Sequence, residues 1–459
     1  MLAAEDMDAA TADSTAIRFP MRMKFFDNLL IRDVLLSRRS NVIIDSKGDV
    51  YQWGKTYGSE TPVKVLKGWK VQKAAISNGV IYLLRGNGEI VFMPELLADQ
   101  KAFHSDQYRR NWHFGSSELP FSRLSGQFQD IAAGKSHLVA LSVDGRVFTA
   151  STGLADEDLA QRKNKGQFGV PFITQFDPLP APNQLHEVAL LSHIRQKNRV
   201  QRRHITKIAA GNNHTLALDE FGEVWSWGLN TYGQLGQLVN YNSEIIPVPK
   251  KITLKGHFKT GIYPVATDVY AGGNFSFAKY QAKDINRFFQ QSRNGAEAAP
   301  EEEMTDFYFA FGNGINGSLG IGKYVHSQAE PAKIKLLNDM KEYNEAVQEV
   351  VSVPVRNWSV GSNHVITTLH NSLNNATDND VLVWGGNAFG QLGNGKKTQA
   401  CKPVYVPTLL EPDTGESTDT ARMLRLNNIN NSRLQIGVRG KAEQVVVAGD
   451  NKSALFYRA

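Results

Sequence analysis

Cysteine is nearly absent: Cys401 is the single one in 459 residues. One thiol cannot build an internal disulfide framework, which argues against a secreted, disulfide-stapled fold. Long apolar runs are missing too. A membrane-spanning helix needs roughly 18 such residues, and segments such as AAISNGVIYLL at 74–84 are short and fit strands. The first sixteen residues contain four acids and no Lys or Arg. A mitochondrial presequence is Arg-rich and acid-poor, and a signal peptide opens on positive charge followed by an apolar stretch, so this segment reads as neither. Catalytic signatures are lacking as well. There is no Gly-x-x-x-x-Gly-Lys-Ser/Thr phosphate loop, no Gly-x-Ser-x-Gly elbow and no zinc-spaced Cys/His set. The expectation is a protein that is not an enzyme, with no catalytic residue, no metal and no cofactor.

What is present is a repeat. Residues 211–236 read GNNHTLALDEFGEVWSWGLNTYGQLG, and 361–393 read GSNHVITTLHNSLNNATDNDVLVWGGNAFGQLG. Each runs from Gly-x-Asn-His through two strands to Trp-Gly and a terminal Gly-Gln-Leu-Gly. Weaker copies lie at 41–58, 74–94, 131–151 (with a displaced GQFG at 166–169), 269–280 resumed at 307–320, and 437–458. That makes seven. His137 to Leu141 and His214 to Leu218 alternate polar and apolar, the period of a strand. Asn87-Gly88 and Asp144-Gly145 supply hairpin turns that tolerate positive φ. Seven strand-rich copies fit a closed ring better than an open solenoid, because closure removes exposed sheet edges. The predicted fold is all-β, a seven-bladed β-propeller over 25–459 preceded by a flexible acidic segment at 1–24. The strand around Phe25 to Leu36 is expected to pair into the last sheet and close the ring.

This reading turns recurring residues into architecture. His137, His214 and His364 begin the same strand in different copies, so they cannot converge on one metal ion; they are expected to bridge backbone groups at the inner turns. Trp53, Trp227 and Trp384 end the second strand, where an aromatic ring would pack between neighbouring sheets. Gly236 and Gly393 close the loop that crosses to the next unit. The seven Trp residues are scattered along the chain, so no tryptophan cluster is expected.

These motifs resemble the regulator of chromosome condensation repeat family. Gly211-x-x-His214-Thr215, Trp227-Gly228 and Gly233-Gln234-Leu235-Gly236 match its pattern, as do Gly361-x-x-His364, Trp384-Gly385 and Gly390-Gln391-Leu392-Gly393. The resemblance spans about 29–459 and implies a seven-bladed propeller. The divergent first two copies, the single Cys and the long inserts look like the fungal mitochondrial branch of that family. That likeness implies association with the inner membrane and a part in assembly of respiratory complex III. The compartment rests on the likeness alone, with cytoplasm or nucleus as the alternative.

Function is expected where the repeat is interrupted, near 152–204, 281–305 and 408–433. The second insert carries the acidic AEAAPEEEMTD and the third is rich in Asn, Thr and Asp without periodicity. The first ends in a basic run, with Arg195, Lys197, Arg199, Arg202, Arg203 and Lys207 and no acid between Glu187 and Asp219. Glu187 to Ile194 is read as one or two helical turns. The basic run is a candidate contact for an acidic protein face, RNA or an anionic membrane surface, against the plain alternative of a solvated loop. Aromatics are absent from 188–207, which argues against nucleic acid held by stacking. The leading expectation is a scaffold that docks protein partners, including respiratory assembly intermediates, with peripheral contact to anionic membrane. The alternative is nucleotide exchange on a small GTPase, in which a wedge loop acts together with acidic residues on one propeller face. Asp156, Glu157 and Asp158 could form such a wedge. Chromatin binding would call for a basic N-terminal tail, and this one is acidic.

Overall fold

In the computed structural model the described residues are 17–27, 29–102, 122–154, 163–173, 176–196, 199–254, 256–284, 305–344, 348–370, 378–407, 424–429 and 442–458. Among them stand six four-stranded antiparallel units, four of them separate sheets and the first and last joined through the terminal strands. They cover 31–66, 71–124, 128–187, 205–251, 262–333 and 355–405, and are called sheets 1 to 6 in that order. The fold is an all-β propeller. The expected count of seven full blades is not met: six are complete, and the seventh copy supplies a hairpin, Ala442–Ala448 with Ser453–Arg458. This hairpin supplies two strands where each complete blade has four.

Each sheet is built as its sequence suggests. In sheet 4 the inner strand Ile205–Ala210 pairs with His214–Asp219, then Val224–Leu229, then the outer Ile245–Lys251. The second strand is buried along its whole length, so its polar members must find partners inside the protein. The inner strands of the six sheets and of the terminal hairpin neighbour one another in turn and line a central channel of about 960 Å³.

One regularity escaped the sequence reading. Every inner strand of the six sheets carries a β-bulge, with Arg32, Gln72, Gln129, Thr206, Thr267 or Arg356 as the extra residue. A bulge bends its strand and re-aims the side chain that follows. Those following residues are Asp33, Lys73, Asp130, Lys207, Asp268 and Asn357. Their charges alternate from sheet 1 to sheet 5, and two neighbouring pairs close: Lys73 to Asp130 and Lys207 to Asp268, each 2.5 Å.

Closure departs from expectation. The strand Ile31–Leu36 is the inner strand of sheet 1, bonded along its length to Asn41–Asp45. It meets the terminal hairpin by a single parallel pairing, Ile31 with Arg458. The last gap is bridged by Arg425–Ile429, which pairs with Asp378–Gly385 of sheet 6 on one side and Ala442–Ala448 on the other. This strand lies inside the third insert, which the sequence reading had treated as aperiodic. The chain before sheet 1 takes the place of missing blade parts. The Gly395 amide donates to the Arg18 carbonyl at 3.1 Å, just as the Gly322 amide donates to Cys401 in the outer strand of sheet 6 at 2.8 Å. Farther along, Phe26 packs on Trp53, with ring centroids 5.3 Å apart. So residues 17–26 belong with the propeller rather than with a free tail; residues 1–16, with the four acids, lie outside the described residues.

Candidate functional site

The sheets have two ends, and each end has its own set of loops. At one end are the turns between the first and second strands and the loops between the third and fourth. At the other are the turns between the second and third strands and the connections to the next sheet. Outer strand His186–Glu187 completes sheet 3 by pairing with Phe148 and Thr149. It therefore divides the first insert. The described residues of 152–185 lie at the first end and those of 188–204 at the opposite one. The sequence treated them as one feature because a two-residue strand has no periodicity to read.

At the first end, the recurring histidines and tryptophans join sheets. His137 Nε2 lies 3.1 Å from Thr215 Oγ1 in sheet 4, His214 Nε2 2.8 Å from Ser276 Oγ in sheet 5, and His364 Nε2 2.9 Å from Ser453 Oγ in the terminal hairpin. The expected partners were backbone groups; His214 and His364 do meet the backbone at Phe275 and Lys452, and each Nε2 also meets a hydroxyl one sheet along. The Ser276 and Ser453 hydroxyls donate onward to the carbonyls of Gln234 and Gln391, inside the two Gly-Gln-Leu-Gly loops. The hydroxyl proton is thus spent, and the imidazole must donate from Nε2. Burial drives these imidazoles toward neutrality, His137 down to about 4 and His214 and His364 to about 3. They are bridges in separate joints, too far apart in the ring to share a ligand.

Trp227 and Trp384 are fully buried between sheets. Their indole N–H groups donate to the carbonyls of Gln167 and Ser318 in the loop of the preceding sheet, at 3.1 and 2.9 Å. Trp53 holds the equivalent place between sheet 1 and the terminal hairpin. Gly236 and Gly393 adopt φ of +65° and +63°. A side chain at Gly236 would crowd Ile252 at the outer edge of the same sheet and touch Phe311 of sheet 5. The tryptophans are not all apart: Trp358 and Trp384 stand 5.6 Å apart edge to face, with Tyr270, Phe277 and Tyr308 against Trp358. Folding joins sheets 5 and 6 and makes a cluster that linear spacing hides.

The mouth of the channel at this end is ringed by inner turns. Backbone bonds stitch it: the Lys135 amide to the Asn212 carbonyl, Asn212 to Gly273, Ser362 to Gly449, and Asp450 to Leu36. Arg38, Arg39 and Lys135 line this mouth with exposed side chains, and no ion pair holds them among the described residues. Lys163 is exposed on the adjoining loop, and Lys165 reaches Asn213 of the rim at 3.4 Å. The two acids of the mouth are occupied. Glu95 is buried and accepts from Ser37 and Ser40 at 2.6 and 3.0 Å; Asp450 accepts from Ser362 at 2.7 Å.

At the opposite end the basic run forms a hairpin, His193–Gln196 with Arg199–Arg202. The helical turns expected before it reduce to one 3-10 turn, Ala189–Leu191. Most of its described cations are spoken for. Arg202 bonds Asp144 at 2.6 Å; Ser142, Arg146 and Arg202 together hold that carboxyl down at about 2. Lys207 pairs with Asp268. Arg203 is buried, its guanidinium 4.3 Å from the Trp225 ring and 3.4 Å from Asp219, so it cannot reach an outside partner. Arg199 is exposed, beside Val200. The Arg195 side chain, Lys197 and the proposed wedge Asp156 to Asp158 lie outside the described residues. So does the acidic stretch of the second insert up to Met304, whereas its last acid, Asp306, opens a strand of sheet 5 and pairs with Lys279 at 2.7 Å. No group of three or more His, Cys, Asp or Glu residues that could hold a metal occurs among the described residues.

A ring of sheets joined by Gly-Gln-Leu-Gly loops and relayed histidines defines the class of repeat propeller that family comparison recovers. Models of the regulator of chromosome condensation (RCC1) repeat match residues 205–234, 222–278 and 378–417. The chain belongs to this family. Within it the chain is 33% identical to "Protein FMP25, mitochondrial" of Saccharomyces cerevisiae, over 96% of this chain and 70% of that one, which puts it on the fungal mitochondrial branch. It is 25% identical to the Regulator of chromosome condensation of Xenopus laevis, over 61% of this chain and 64% of the other. Among solved structures it resembles Prp20p of Saccharomyces cerevisiae (TM-score 0.59, 17% identity, 97% of this chain and 86% of that one). It also resembles human WBSCR16 (TM-score 0.59, 15% identity, 97% and 89%). These two likenesses are of fold.

Proposed function

We propose that the chain is a non-enzymatic scaffold of the mitochondrion, associated with the inner membrane and acting in assembly of a respiratory complex, complex III in the first instance. The observation that carries this reading is the 33% identity to mitochondrial FMP25 along 96% of the chain. The shape supports it: a rigid ring whose long connections, including hairpins 193–202 and 341–352, stand out at one end. Rigid rings with elaborated loops present surfaces, and loops held on a scaffold are where proteins place recognition. Peripheral contact with anionic membrane would fall to Arg199 and exposed Val200 among the described side chains of the basic hairpin. The test is loss of the chain from its native cells followed by native-gel analysis of the respiratory complexes, with import into isolated mitochondria alongside. Depleted complex III and a protease-protected imported chain are expected. Normal complex III, or a chain confined to cytosol or nucleus, contradicts the reading.

Nucleotide exchange on a small GTPase is the second reading. It is supported by family membership and by Prp20p, whose structure was reported with its binding to Gsp1p and histones. Against it, the unpaired charges at the channel mouth are cationic, whereas the exchange reading calls for acidic residues on one face. Acceleration of nucleotide release from a mitochondrial or nuclear GTPase would restore it.

A further inference from the structure

We infer that the channel mouth ringed by the inner turns is a docking site for an acidic, extended peptide segment of a protein partner. This deepens the scaffold reading by naming a face and a partner chemistry, and it holds whatever the compartment. Arg38 and Arg39 come from the inner turn of sheet 1 and Lys135 from that of sheet 3, and all three line one cavity. None has an ion-pair partner among the described residues; Glu95 and Asp450 keep their charge while accepting from Ser37, Ser40 and Ser362, so the three cations outnumber the two acids of the mouth. Lys163 and Lys165 extend the cationic side outward over the loop of sheet 3. Unpaired like charges converging on a concave opening focus a field that attracts the opposite sign. The far end of the channel is the reverse, because Lys73–Asp130 and Lys207–Asp268 neutralise one another there. An acidic segment is therefore drawn in from one side only.

Geometry selects among acidic partners. From the rim glycines to the bulge residues is four positions, which at about 3.3 Å per residue is roughly 13 Å of strand. That depth holds about four residues of extended chain. The walls carry Asn78 and Asn212, whose side-chain amino groups turn to Thr152 and Asn274 and whose amide oxygens can accept from a peptide backbone. A single-stranded nucleic acid would want free aromatic faces. Tyr270 is the aromatic side chain lining the channel among the described residues, and it is already stacked on Trp358 at 5.4 Å. A lipid surface would want a convex or flat patch, not a mouth.

The test is fluorescence anisotropy with the purified chain and a labelled short Glu/Ser peptide, with its Gln/Ser counterpart, a labelled single-stranded RNA and anionic vesicles as competitors. Saturable binding of the Glu/Ser peptide is expected, weakening as salt rises. The combined substitution Arg38→Glu, Arg39→Glu and Lys135→Glu should lower affinity by about tenfold or more, as for close charge contacts across an interface. The neutralising set Arg38→Gln, Arg39→Gln and Lys135→Gln should weaken it less, and circular dichroism guards against misfolding. Lys259→Glu with Lys341→Glu, exposed at the opposite end, should leave it unchanged. No binding, equal binding of the Gln/Ser peptide, or loss only with the Lys259 and Lys341 pair overturns the proposal. So does RNA or vesicle that displaces the peptide and depends more strongly on the mouth residues. Peptide binding can fail while the chain still supports complex III, and the reverse, so this test and the one for the scaffold reading fail separately.

Discussion

The two ends of the channel are built from the same seven strands and differ in what their charges do. At the bulge end Asp33, Lys73, Asp130, Lys207 and Asp268 alternate in sign, and two of the contacts close as ion pairs. Burial raises the Asp33 carboxyl above its ordinary value while Lys73 pulls it back. At the turn end Arg38, Arg39 and Lys135 stand exposed and without an ion-pair partner among the described residues, over joints made of His–hydroxyl–carbonyl relays. The lesson is that charge in this chain cannot be counted along the sequence. Among the described cations of the conspicuous basic run at 195–207, Arg202, Arg203 and Lys207 are taken up by Asp144, Asp219 and Asp268. The inconspicuous cations of the turns are the ones left over.

That contrast can be broken deliberately. The largest effect should come from Arg203, which sits in the basic run but behaves as core. Arg203→Ala leaves Asp219 buried without its cation and uncovers Trp225, and should cost on the order of 3 kcal/mol in denaturant unfolding. A loss below about 0.5 kcal/mol would return Arg203 to the surface set.

The relays give the next effect, through pH. His137, His214 and His364 are held neutral by burial, with folded values of about 4, 3 and 3 against an ordinary 6.5. Between those limits the unfolded chain binds more protons than the folded one, so stability falls as pH drops below 6.5 and is unaffected above it. Melting temperature measured from pH 8 down to pH 4 should be flat and then decline. His214→Gln should make the decline shallower. An unchanged slope would mean that this imidazole titrates normally.

Smaller effects separate the two ends directly. Lys207→Gln removes one partner of a partly exposed pair and should cost about 0.5–1 kcal/mol. Lys135→Gln removes no partner and should stay within about 0.5 kcal/mol of the parent. If the Lys135 variant is the more damaged of the two, the cation is a structural member and the mouth is not free.

Much of this was legible in the sequence. The strand-forming runs at 137–141 and 214–218, the Asp-Gly and Asn-Gly turns and the terminal Gly-Gln-Leu-Gly announced the sheets, because each copy repeats a local rule, although both strands are buried along their whole length rather than on alternate residues. What was hidden depends on neighbours. The outer strand His186–Glu187 is too short to show a period, yet it sends the described residues of 152–185 and 188–204 to opposite ends. The hydroxyl at the end of each histidine relay belongs to the next copy, so spacing within one copy cannot reveal it. The bulge residues do occupy a readable place, four before the rim glycine in 207 and 211 or 268 and 272. Their alternation emerges only when the copies are set in a ring. The seventh copy was recognised but its missing strands were not foreseen, and Arg18 to Phe26 stand in for part of them.

Hydrogen–deuterium exchange of the chain with and without saturating Glu/Ser peptide tests the asymmetry of the two ends most directly. The inner turns at 37–40, 77–79 and 134–136 should exchange more slowly with peptide bound, and the hairpin at 193–202 should not change. Protection confined to 193–202, or none at the inner turns, would contradict the assignment of binding to the cationic mouth.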